Sequence, residues 1–86
     1  MDNKDSKIIS IDARSFAEIW AKLTDDERSE LRFNLIRDCD VTRQTVDNWA
    51  NDKSRPVYKE VKKKVASIVN RTLHLNVVGQ TLFPRK

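Results

Sequence analysis

Apolar residues recur at helical spacing in four stretches of the chain. Phe16, Ile19, Trp20 and Leu23 stand at i, i+3, i+4 and i+7, one stripe of an amphipathic helix, with Asp12 or Ser15 as its N-cap. Thr24 and Glu27 then form a capping box, and the acidic first turn of Asp25, Asp26 and Glu27 suits the positive end of a helix dipole. Leu31, Leu35, Ile36 and Cys39 give this second helix a buried face, with Phe33 at its edge, and the pattern ends at about Cys39. After Asp40, Val41 and Thr42, the inward spacing of Thr45, Val46, Trp49 and Ala50 predicts a short third helix over 43–51, capped by Thr42. Asn51 to Ser54 end it. Pro56 suits the first turn of a fourth helix, preceded by Ser54 or Arg55, and Val57, Val61, Val65, Ile68, Val69 and Thr72 carry its stripe to about Thr72. The tail alternates Leu73, Leu75 and Val77, passes Gly79 and closes with Leu82, Phe83 and Pro84; it is expected to dock by its Leu and Phe. Residues 1–11 are polar apart from Ile8, Ile9 and Ile11 and read as a flexible arm or a short strand.

Length and composition narrow the class. A chain of 86 residues supports one small core, placed here at 12–84, and not a multi-domain enzyme. With 38% hydrophobic residues, one Gly and two Pro, it is too apolar and too poor in breakers to be disordered, so the expected fold is all-α, a compact bundle of four to five helices. No apolar run nears the roughly 18 residues of a membrane span, and Met1 to Asp5 lack a signal-peptide core; a cytoplasmic protein with no membrane partner is expected. The single Cys39 forms no internal disulfide and reads as a packed thiol. His74, the one histidine, assembles no catalytic or metal set, and no Gly-rich phosphate loop is present. The chain is therefore read as a non-enzyme without metal, cofactor or evident small-molecule ligand.

Charge changes the picture more than its net value of +4 suggests. Residues 1–42 carry 7 Lys/Arg against 10 Asp/Glu, a balance of −3, whereas residues 43–86 carry 10 against 3, a balance of +7. The second half is thus a candidate surface for a polyanion, with nucleic acid, anionic membrane and acidic protein all compatible on charge alone.

Two helices joined by a three-residue turn, the second short and polar on its outer face, form the arrangement that lets a helix enter a DNA major groove. Residues 32–51 have this pattern. The run from Leu35 to Lys53, and above all VTRQTVDNWANDKSRP, resembles the helix-turn-helix of the phage repressor and Cro-like (lambda repressor-like) DNA-binding family. The matching positions are Val41 in the turn, the capping Thr42, the β-branched Val46, Trp49, and Asn51 with Lys53; the closing Leu82, Phe83 and Pro84 also resemble the tails of family members. The resemblance spans about residues 30–84. Two positions depart from it: Asp40 stands where the family usually has Gly, and Ile36 where a small residue is usual, which would push the two helices slightly apart.

On the third helix Arg43, Gln44, Asp47, Asn48 and Asn51 share the face opposite Val46 and Trp49. Arg pairs bidentately with guanine, and Gln or Asn with adenine. The resemblance makes Arg43, Gln44 and Asn48 the base readers. Asp47 has two readings, accepting from cytosine or orienting Arg43 across one turn. Phosphate contacts are expected from the Thr42 and Thr45 hydroxyls, from Lys53 and Arg55, from Arg32 near the motif's entry and from Lys59, while Lys62, Lys63 and Lys64 thicken the positive field. The apolar spacing of Trp20 and Trp49 makes them core anchors. The expectation is a sequence-specific duplex-DNA-binding transcriptional regulator, with a homodimer on two half-sites. The rival reading is a helical protein-interaction module, antitoxin-like or a phage adaptor, whose basic half grips an acidic partner.

Overall fold

A computed structural model describes residues 12–84, and the expected arm of residues 1–11 lies outside them. Among the described residues there are five helices and no strand: α1 (Phe16–Ala21), α2 (Asp25–Cys39), α3 (Arg43–Ala50), α4 (Lys59–Leu73) and α5 (Gly79–Leu82). No helix among these residues is long and apolar enough to cross a membrane.

Local chemistry sets most helix ends. Ser15, not Asp12, caps α1: its hydroxyl accepts from the Glu18 amide at 3.2 Å while its own N–H donates to Glu18 Oε1 at 2.8 Å. Thr24 and Glu27 close the same reciprocal box at the start of α2. Each box satisfies amides that the first turn leaves without partners. The end of α1 is served from outside, because Arg28 on α2 donates to the carbonyls of Trp20 and Ala21. Leu23 therefore lies past the end of α1, half-buried against the core.

The α2–α3 junction is as short as expected. Asp40 ends α2 in the left-handed region, with φ 55° and ψ 43°, Val41 packs on the core, and the Thr42 hydroxyl accepts from the Thr45 amide at 3.1 Å. The left-handed residue reverses the chain within three positions, the conformation for which Gly is usually chosen. Ile36 is half-buried against the core beneath this junction. At the far end of α3, Asp52 takes φ 58°, and the amides of Asp52 and Lys53 donate back to the carbonyls of Trp49 and Asn48. This paired return closes the helix as a Schellman motif.

The start of α4 differs from the sequence expectation. The helix begins at Lys59, after the N-cap Tyr58, whereas Pro56 is a buried member of an extended linker and Val57 is 83% exposed rather than part of the inward stripe. The fixed φ of proline suits an extended segment as well as a first helical turn, so Pro56 alone did not decide between them. The linker is held by Arg55, whose Nη1 donates to the carbonyl of Pro84 at 3.2 Å. From Val61 onward the stripe is inward as expected, with Val65, Ile68 and Val69 fully or almost fully buried.

After His74, also left-handed, the chain runs extended to α5. The Asn70 side chain substitutes for a strand partner there: its amide donates to the Val77 carbonyl at 3.0 Å, and its Oδ1 accepts from the Val77 N–H at 2.7 Å. Gly79 then passes so near α4 that a Cβ would lie 2.9 Å from the Lys62 backbone, which explains a glycine at this position.

The core joins these elements through aromatic rings. Phe16 stacks on Trp20 and Phe83, with centroids 5.8 and 5.6 Å away, and meets Trp49 edge-on at 6.2 Å; Trp49 also meets Phe83 edge-on at 5.6 Å. Helix α3 is thereby fixed to α1 and to the tail, and Leu82 and Phe83 dock as expected. The positive φ of Asp40 costs about 1 kcal/mol relative to Gly. Asp40→Gly is accordingly expected to raise the urea midpoint by an amount corresponding to about 1 kcal/mol, whereas Asp40→Val, with a β-branched side chain, lowers it.

Candidate nucleic-acid interface

Helix α3 has two chemically distinct sides. Val46, Trp49 and Ala50 are buried, and the opposite side presents Arg43 and Gln44 exposed with Thr45, Asp47 and Asn48 half-buried along the rim. Because burial and capping fix the helix from inside, the outer side chains project from a rigid base. Val46 and Trp49, at i and i+3, are the sequence signal for this orientation.

The outer side chains are already paired among themselves. The Gln44 amide donates to Asn48 Oδ1 at 3.2 Å, one turn away. Whichever amide donates, the pair keeps one unused carbonyl and at least one unused N–H, the complement of adenine's major-groove edge with its N6–H donor and N7 acceptor. Thr42 and Thr45 hydroxyls share a 3.0 Å hydrogen bond at the start of α3. Asn51 donates to the Asp47 carbonyl at 2.9 Å and serves the end of the helix.

The predicted cations divide into two groups. Arg43, Lys53 and Lys59 are exposed, and Lys53 and Lys59 form no ion pair with another described residue. Lys59 and Lys62 border an open hollow of ≈ 400 Å³ with Val57, Gln80 and Phe83. Arg32 and Arg55, by contrast, have protein partners. Arg32 lies over the Trp20 ring, 5.3 Å from its centroid, and donates to Asp47 Oδ1 at 3.2 Å; Arg55 donates to the Pro84 carbonyl and Asp52. Nothing in the linear pattern signals these two engagements, because Trp20, Asp47 and Pro84 meet the arginines only through the tertiary fold.

Two acidic side chains, one on α2 and one on α3, are paired with arginines near the motif. Asp47 belongs to the α3 face itself, and its Oδ2 is 4.0 Å from Arg43 Nε. Asp38 stands in the last turn of α2, where a negative charge is unfavourable against the helix dipole, and it is offset by Arg37 at 2.9 Å and by Arg71 of α4 at 2.7 Å. The Arg37 hydrogen bond, and then the Arg71 hydrogen bond, hold the Asp38 carboxyl down to about 2 from its ordinary 3.8. Burial pushes the half-buried Cys39 thiol at this end of α2 up, against the weaker pull of Lys64.

Among the described residues no group of three or more His, Cys, Asp or Glu side chains is arranged to hold a metal ion. The chain matches no family model, no curated protein and no solved structure.

A carboxyl held low in the folded state stabilises above its unfolded value and loses that contribution as pH falls through the folded one. The Arg71–Asp38 bridge ties the end of α2 to α4. Arg71→Gln is therefore expected to melt below the parent protein at pH 7, with the gap in melting temperature closing as pH drops from 3.8 towards about 2. A gap that persists in acid would mean that Arg71 acts through its stem packing instead.

Proposed function

We propose that the chain binds duplex DNA sequence-specifically, inserting α3 into the major groove, and acts as a transcriptional regulator of the repressor and Cro-like kind. The observation that carries this reading is the α2–α3 unit: a left-handed three-residue turn, a Thr-capped helix pinned from within by Val46 and Trp49, and an outer face of hydrogen-bonding side chains. A solvated helix has no need of that combination. The residues match base-edge chemistry at each step, with Arg43 for guanine O6 and N7 and the Gln44–Asn48 pair for adenine.

Phosphate contacts flank this face. Thr42 and Thr45 offer hydroxyls at the start of α3, and Lys53 and Lys59, which form no ion pair with another described residue, offer exposed ammonium groups after it. They fix register without reading sequence. Arg32 and Arg55 hold protein partners on the edges of the same surface, so their contribution to phosphate binding is through field more than through direct contact. One such module reads only a few base pairs, and useful specificity comes from a homodimer on half-sites about one helical turn apart.

Selection from a random duplex library at about 150 mM salt, followed by a salt titration of the winning sequence, tests this. An enriched motif is expected, palindromic for a homodimer, with a salt slope of about 0.9 per phosphate contact. Arg43→Ala combined with Gln44→Ala is expected to abolish the preference while leaving weak, salt-sensitive binding to any duplex. Equal binding to all duplexes by the parent protein would overturn the reading in favour of an acidic protein partner.

A further inference from the structure

Asp47 is the anomalous residue of the α3 face. A carboxylate on a surface that meets phosphates and guanine acceptors opposes binding by like-charge repulsion. Its surroundings account for its presence. Oδ1 accepts from Arg32 Nη2 at 3.2 Å, and Oδ2 faces Arg43 Nε at 4.0 Å, so each oxygen is turned to a different guanidinium.

Arg32 is a fixed cation. Its guanidinium lies on the face of Trp20, itself buried, and its side chain is only 23% exposed. Its Nε is buried with no hydrogen-bond partner among the described residues, while stacking on Trp20 and the Asp47 contact hold the group. Arg43 is the opposite case. Its side chain is 74% exposed, and its contact is with Asp47 Oδ2, 4.0 Å from Nε; its terminal nitrogens form no hydrogen bond to another described residue.

We propose that Asp47, buttressed by Arg32 on Trp20, is a positioning residue that presets the Arg43 fork for guanine, so that Arg32 and Asp47 set specificity without contacting DNA. The proposal rests on the DNA-binding reading above. A free arginine on a short helix samples many rotamers and loses that freedom on binding. A carboxylate at Nε removes part of this loss beforehand and leaves the two terminal N–H groups for guanine O6 and N7.

The experiment measures, on the selected duplex, the ratio of dissociation constants for each base substitution, for the parent protein, Asp47→Asn, Asp47→Glu, Arg32→Gln, Arg43→Ala and the Asp47→Asn/Arg43→Ala double variant. Asp47→Asn is expected to lower discrimination at one guanine about tenfold, the scale of one lost bidentate contact, with the other positions unchanged. Its binding to scrambled duplex stays level or tightens, since a negative charge is gone. Arg32→Gln shifts the same position, and Asp47→Glu restores part of the preference. In the Arg43→Ala background Asp47→Asn has no further effect on base discrimination. A merely structural role would instead lower melting temperature and weaken all positions together. Unchanged guanine discrimination in Asp47→Asn overturns the proposal, as does a loss confined to a cytosine that persists in the Arg43→Ala background. Should Arg32→Gln fail to fold, the surface change Asp47→Asn decides alone. If the parent protein selects no motif, the DNA reading itself falls, and the positioning role falls with it.

Discussion

The contact on which the rest of the structure depends is the meeting of Phe16, Trp49 and Phe83. These rings come from α1, α3 and the tail beyond α5, which are far apart in the chain, and each is at most 4% exposed. Burying a side chain of this size contributes about 1.5 to 3 kcal/mol, and each well-oriented ring pair adds about 0.5 to 1.5 kcal/mol. In a domain of this size that is a large share of the net stability. It also has a directional consequence. Because Trp49 is the inward anchor of α3, the rings that hold it decide which way Arg43, Gln44 and Asn48 point.

Around that centre the short helices are finished by side chains instead of length. Helices of six and eight residues are too short to be stable alone, and both are capped reciprocally or by a hydroxyl at their start. Their ends are closed by other elements: Arg28 reaches the end of α1, and a left-handed Asp52 folds the chain back over α3. Positive φ occurs at Asp40, Asp52 and His74, where α2, α3 and α4 finish, and none of the three is Gly. The chain accepts a small backbone cost at each turn and recovers it through tertiary packing.

The charge asymmetry along the sequence becomes a spatial arrangement only in part. Arg28 and Arg32 of the acidic half both lie on Trp20, 5.9 and 5.3 Å from its ring, and turn their charge to carbonyls and to Asp47. Arg55 is turned inward to the tail. The lysines at 53, 59, 63 and 64 remain exposed, while Lys62 is half-buried at the hollow beside the tail. Planar guanidinium groups are thus used for stacking and forked hydrogen bonds, and ammonium groups are left to supply field, in keeping with their hydration.

The sequence by itself determined four of the five helices, and missed α5 in the tail and the start of α4. The stripes of α1 to α4, apart from Leu23 and Val57, the Thr24–Glu27 box, the cap at Thr42, the three-residue break and the two tryptophan anchors were legible, because each depends on neighbours within one or two turns. The outward set Arg43, Gln44 and Asn48 was legible for the same reason, since it is the complement of Val46 and Trp49. Where two local answers were equally good, the sequence was insufficient. Pro56 fits a first helical turn or an extended linker, and Ser15 competes with Asp12 as a cap. Only tertiary structure decided what the long cations do. Arginine reaches across several ångströms of surface, so the partner of Arg32 or Arg55 is fixed by which ring, carboxylate or carbonyl the packed helices bring within range. Separation along the chain, 15 residues for Arg32 to Asp47 and 29 for Arg55 to Pro84, carries no local signal of such a meeting.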